Sequence, residues 1–134
     1  MIPAFAALLA LAFTPQADPQ SVVGVWRTND GNADVKVDRC GQKMCGTVLR
    51  ILNPKAPKTD TQNPDASLRN RPMVGLVVLS GYQWKDGGWQ GGKAYDAKSG
   101  KSYNSSIAVG KDGKLGVTGC VMFICQTRYW TRVK

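Results

Sequence analysis

Two short cysteine pairs constrain this chain more than anything else in it. Cys40 and Cys45 enclose Gly-Gln-Lys-Met, Cys120 and Cys125 enclose Val-Met-Phe-Ile, and histidine is absent throughout. Sulfur chemistry is thereby narrowed to two readings. Four thiolates could hold one zinc ion, but the gaps lie at the edge of the usual ligand spacing. An even count in a small exported chain reads instead as disulfides. Four cysteines allow three connectivities, of which local pairing is the simplest. Each staple would then close a hairpin end, where opposed strand residues approach to roughly 4.5–5.5 Å, and would contribute about 2 kcal/mol.

Export is suggested by the N-terminus. Residues 2–13 are almost wholly apolar, followed by Pro15, Gln16 and Ala17. Such a run is too short to cross a bilayer as a helix and has the length of a signal-peptide core. No Lys or Arg precedes it, and Pro15 stands where a small residue is usual. The alternative is an apolar helix packed on the domain. The expected organisation is a leader over residues 1–17 and a single domain over residues 18–134, placed in the periplasm or outside the cell.

Eighteen Lys and Arg face nine acids, all of them aspartate, for a net charge of +9. Without glutamate the chain lacks a good helix former, and 15 glycines supply turns and bulges. A basic exported domain meets anions such as lipid headgroups, lipopolysaccharide or acidic polymers. Nucleic acid is not an expected partner, because no helix concentrates the charge. The plain alternative is a solvated positive surface.

Apolar and β-branched residues alternate over residues 22–28, 33–40, 46–52, 74–85, 89–95, 101–109, 114–120 and 125–133. Turn signals such as Asn29-Asp30-Gly31 and Asp86-Gly87-Gly88 separate these runs, and Gly81 marks a kink or bulge. Eight antiparallel strands in sequence order suit an all-β, closed up-and-down barrel, which leaves no free edge. A β-sandwich is the alternative. Val23, Val35, Val37, Val48, Leu76, Val78, Ile107, Val109 and Val117 are the expected inward residues. They would either line a cavity or fill the interior.

One long break spans residues 53–72 and holds four prolines, Pro54, Pro57, Pro64 and Pro72. Loops of this length in small barrels are often functional. Asn63-Pro64-Asp65 predicts a turn or a single helical turn through Leu68.

Gly24-Val25-Trp26 lies on the first expected strand and Trp130-Thr131-Arg132 on the last. In a closed barrel these strands are neighbours, and the Arg132 guanidinium can lie over the Trp26 ring, worth about 0.5–2 kcal/mol. This resembles the floor of lipocalins and related calycin barrels. A longer resemblance covers most of residues 24–133. It is carried by Gly24-Val25-Trp26-Arg27-Thr28, Cys40-Gly41, Cys45-Gly46, Asn63-Pro64-Asp65, Leu68-Arg69-Asn70-Arg71-Pro72, Gly75-Leu76, Gly91-Gly92-Lys93-Ala94-Tyr95-Asp96, Gly100-Lys101-Ser102-Tyr103, Gly119-Cys120 and Trp130-Thr131-Arg132-Val133. Together they resemble the bacterial exported family known as domain of unknown function 2147. Ala97 departs from it, since the family's turn often has Pro after Tyr-Asp. The resemblance implies a lipocalin-like barrel and assigns no activity and no catalytic residues.

Arg69, Arg71 and Asp65 are the leading candidates for ligand contact, because two arginines on a lid-like loop can bind a carboxylate or phosphate by forked hydrogen bonds. Alternatively Asp65 and Arg69, four apart, pair with each other and pin the loop. Tyr95 and Tyr103 flank a hairpin and could present hydroxyls to a ligand; turn chemistry from Asp96 and Gly100 explains that segment equally. A histidine relay is impossible here, oxidised cysteines leave no nucleophile, and no phosphate loop is present. An aspartate-based hydrolase is the remaining catalytic alternative. The expectation is no enzyme, no metal and no cofactor. Instead, a monomeric barrel binds a small hydrophobic or anionic lipid ligand, or docks by its basic surface on membrane, lipopolysaccharide or a protein partner.

Overall fold

The computed structural model describes residues 18–134; the expected leader lies outside them. A 3₁₀ turn (Pro19–Val22) leads into β1 (Gly24–Arg27), β2 (Ala33–Cys40), β3 (Lys43–Ile51), a second 3₁₀ turn (Ala66–Leu68), β4 (Val77–Lys85), β5 (Gly88–Asp96), β6 (Lys101–Val109), β7 (Leu115–Val121) and β8 (Ile124–Arg132). Each strand pairs antiparallel with the next and β8 returns to β1, closing the barrel. The barrel, not the sandwich, is what the alternation produces.

Three strand starts differ most from the sequence reading. The first and fourth strands start later, at Gly24 and Val77. Val22 belongs to the first 3₁₀ turn, which Asp18 caps by accepting from the Gln20 N–H. The third strand starts earlier, so the hairpin carrying the first cysteine pair turns at Gly41-Gln42 alone. Cys40 therefore faces Lys43 and Cys45 faces Asp38, and the Cys40–Cys45 disulfide runs diagonally with its Cα atoms 5.9 Å apart. Cys120 and Cys125 are directly opposed, 4.1 Å apart, as a hairpin staple requires. All four sulfurs are in disulfides, so no thiolate remains for zinc.

One end of the barrel is a floor. Trp26 is fully buried, donates its indole N–H to the Val22 carbonyl at 2.9 Å, and carries the Arg132 guanidinium 4.1 Å over its ring. Arg132 also donates to the Ser21 and Val23 carbonyls, at 2.7 and 3.2 Å. Those bonds tie the last strand to the segment before the first. Gly24 is required here: it adopts φ +152°, and a Cβ would come within 2.6 Å of Arg132 and 2.7 Å of the Lys134 carbonyl oxygen. Trp89 donates to the Pro19 carbonyl at 2.9 Å, fastening the first 3₁₀ turn across the same end.

Above this floor Val35, Val37, Val48, Leu76, Val78, Ile107 and Val117 are buried as expected, while Val23 and Val109 are only partly buried. Tyr82 presses its ring into the space left by Gly92 and bonds Ser105 at 2.8 Å. Burial pushes the Tyr82 hydroxyl up to about 12, against the opposing effect of the Ser105 bond.

Candidate functional site

The opposite end is open. By the up-and-down order it carries the β1–β2 loop, the long β3–β4 loop, the β5–β6 turn and the β7–β8 turn. Below them is a cup of about 860 Å³. Val35, Val48, Val78, Leu79, Val117 and Trp130 give it an apolar lower wall. Of the expected inward residues, Val35, Val48, Val78 and Val117 line the cavity, while Val37, Leu76 and Ile107 are packed in the core.

Most polar groups at the cup stand on the loops of its mouth, and β8 adds two on the barrel wall. Strand alternation puts Gln126, Arg128 and Trp130 on one face, and all three line the cavity. Arg128 has no acid within ion-pair distance among the described residues. Gln126 sits opposite Gly119 and Arg128 opposite Val117, so the cation stands over an apolar wall. Tyr103 lines the cavity from β6, its ring against Gly119.

The long loop covers part of the mouth as a narrow arm closed on itself. Thr59 bridges Pro72, the Asp60 N–H donates to the Arg71 carbonyl at 3.0 Å, and the Met73 N–H donates to the Lys58 carbonyl at 2.9 Å. Asp60 is the centre of the arm. Its buried carboxylate accepts from Asn63 at 2.8 Å, from Arg71 at 2.9 Å and from the Tyr95 hydroxyl at 2.7 Å. Burial alone would raise its pKa, but these three bonds and the Arg71 charge outweigh burial and hold it below the usual carboxylate range. Tyr95 is pushed up to about 12, by burial first and then by its bond to the Asp60 charge. The arm also packs on the β5–β6 turn, where a Cβ on Gly100, at φ +72°, would meet the Gln62 carbonyl oxygen. The Asp96 carboxylate accepts from the Lys98 N–H in that turn, as its chemistry predicts.

The five residues singled out for ligand contact therefore separate. Tyr95 and Tyr103 line the cup. Arg71 faces Asp60 and stacks 5.7 Å over the Tyr95 ring. Asp65 caps the second 3₁₀ turn by accepting from the Ser67 N–H and hydroxyl, and is exposed. Arg69 donates to the Asn63 carbonyl at 2.8 Å. The Asp65–Arg69 ion pair expected from their spacing is replaced by these local bonds, because a 3₁₀ turn does not bring residues four apart over one another. Asp60 carries no sequence signal because its partners Arg71 and Tyr95 are 11 and 35 residues away, and Asn63 reads in the sequence only as a turn residue. Arg128 did leave a signal: Gln126-x-Arg128-x-Trp130 places two polar residues on the inward row of a strand.

An ion pair crosses the mouth. Asp30 on the β1–β2 loop meets Lys98 on the β5–β6 turn at 2.6 Å, and both residues line the cavity. With eight strands, these two connections stand on opposite sides of the barrel.

A family model described as an uncharacterized protein conserved in bacteria (DUF2147) matches residues 24–132. The chain belongs to this family. Among solved structures it is similar to protein HP1028 from the human pathogen Helicobacter pylori, described as belonging to the lipocalin family. The two share 26% sequence identity with a TM-score of 0.72, over 84% of this chain and 82% of that one. No curated protein matches the chain.

Proposed function

We propose that this protein is an exported carrier, not an enzyme, that holds one small amphipathic anion in the cup, apolar part down and anionic group at Arg128. The observation that carries the reading is an unpaired cation, Arg128, on a strand facing the apolar wall of an open cavity; the other lining cations, Lys55 and Lys98, belong to the loops at the mouth. A volume of about 860 Å³ lies in the range of small-molecule sites, roughly 300–1,000 Å³. Gln126 and Tyr103 line the same space and can add neutral hydrogen bonds. The lipocalin-like fold supports small-molecule binding. Two disulfides and the apolar segment at residues 2–13 support export. The cup is complete within one chain, in keeping with a monomer.

Fluorescent fatty-acid uptake by the purified protein tests the reading, with organic extraction and mass spectrometry alongside. Arg128→Gln is expected to weaken a carboxylate-bearing chain about tenfold, the order of a charge-assisted bond, and to leave the matching alcohol unchanged. Empty extracts together with no uptake by the wild type would sink the proposal; equal loss for acid and alcohol would remove Arg128 from it.

A further inference from the structure

The β7–β8 turn is unlike every other connection in the barrel. Val121, Met122, Phe123 and Ile124 are consecutive, and their exposures are 55%, 86%, 98% and 75%. The other hairpin connections are built from Thr28-Asn29-Asp30-Gly31-Asn32, Gly41-Gln42, Asp86-Gly87, Ala97-Lys98-Ser99-Gly100 and Gly110-Lys111-Asp112-Gly113-Lys114. Met122 holds φ +53°, a position that Asn or Gly fills at less cost. Folding gives no reason to place Met and Phe there.

The tip is also raised and braced. β8 pairs with β1 only at Arg132 and Thr131, so Ile124 to Tyr129 rise past the end of β1. The Cys120–Cys125 disulfide crosses the hairpin one pair below Val121 and Ile124. A bonded pair of hydroxyls, Thr118 and Thr127, follows at 2.8 Å. The result is a stiff finger, apolar at its point and polar below, standing at the mouth of the cup.

Charge decides what such a finger meets. At the open end Asp30, Asp34 and Asp60 are consumed in ion pairs, and Asp65 and Asp96 cap turns. Lys55, Lys58, Arg69 and Lys101 at the same end are exposed and have no acid within ion-pair distance among the described residues. Carrying the β6–β7 register on from Asn104 opposite Cys120 sets Lys101 level with the tip. An exposed apolar point with Lys101 beside it and Lys55, Lys58 and Arg69 on the loop across the same mouth is complementary to an anionic lipid surface, which supplies phosphates at the level of the cations and hydrocarbon beneath. A second copy of the chain fits less well. A convex tip of four residues falls short of the roughly 800 Å² per partner that a stable protein interface buries.

We infer that residues 121–124 insert into the surface of an anionic bilayer and that the rim cations dock on its headgroups, seating the mouth of the cup against the membrane. The inference stands without the carrier reading, since neither Phe123 nor Met122 lines the cup.

Co-sedimentation of the purified protein with phosphatidylglycerol–phosphatidylcholine vesicles tests it, against pure phosphatidylcholine, at about 0.15 M salt. Expected are binding to the anionic vesicles at least tenfold tighter than to the neutral ones, and at least a tenfold loss for Phe123→Asp. Lys55→Gln, Lys58→Gln and Lys101→Gln combined should cost several-fold on anionic vesicles only. Phe123→Asp changes a fully exposed side chain, and its uptake of fluorescent fatty acid from solution should match wild type, so membrane docking and cup binding fail separately. No vesicle binding, or equal binding by Phe123→Asp, overturns the inference. So does a wild-type dimer that Phe123→Asp converts to monomer, which would assign the tip to a second copy.

Discussion

The two ends of the barrel are held by different physics. The floor is stabilised by burial of large rings, Trp26 and Trp89, and by a guanidinium lying over one of them. The mouth is held by ions and hydrogen bonds: Asp60 with Arg71, Asn63 and Tyr95, and Asp30 with Lys98. Apolar burial has no charge to titrate or to screen, whereas ion pairs respond to both pH and salt. A small barrel can therefore keep one end shut under all conditions and leave the other adjustable.

The sharpest attack on that contrast is at the floor. Trp26→Ala removes the ring beneath Arg132 and should cost about 3–5 kcal/mol in urea unfolding. Loss of the whole barrel is expected, not of the mouth alone. At the mouth, Arg71→Ala leaves the buried Asp60 carboxylate without its cation and should cost about 2 kcal/mol. Hydrogen exchange should place that loss in the arm, at the Asp60 and Met73 amides, with the floor still protected. If the floor exchanges equally, the two ends are one cooperative unit and the contrast fails.

Titration sharpens the comparison further. The Asp60 carboxyl is depressed in the folded state, so its contribution is complete above the ordinary carboxylate range and is lost as pH falls through the lower folded value. Acid should release the arm below about pH 4 while indole signals from Trp26 stay native. Tyr95 moves the other way. Its folded state favours the neutral phenol, so that contribution is present below its ordinary value of 10 and lost as pH rises through about 12. Asp60→Asn should bring the Tyr95 titration back down, read by ultraviolet absorbance. The smallest effect is expected for Asp30→Asn, an exposed pair worth about 0–1 kcal/mol. It should leave stability unchanged and speed ligand entry to the cup, measured by stopped flow.

What the sequence made legible follows the same division. Strand alternation, the hairpin staples and the Trp26–Arg132 contact are local or strand-neighbour relations, and all three appear in the structure. The start of β3 was misplaced because the cysteine pair invited a loop where a two-residue turn suffices. At the mouth the relevant partners are joined only by the tertiary fold. Asp60 looks like any loop aspartate until Tyr95 arrives from another strand. Arg71 draws attention by its charge, but that charge is spent on Asp60, and the unpaired cation on a barrel strand facing the cup is Arg128.

Closure has a consequence in time as well as in shape. Seven of the eight seams join strands adjacent in sequence, and all of these but β3–β4, which spans the long loop, can zip as hairpins while the rest of the chain is still disordered. The eighth rests on two residue pairs, the Arg132 contacts and the bonds between Val25 and residues 133–134. Nothing shuts the floor until residues 131–134 arrive. A chain that appears N-terminus first is thus an unrolled sheet, its apolar face uncovered, and becomes a vessel only when β8 and residues 133–134 are free to pair with β1.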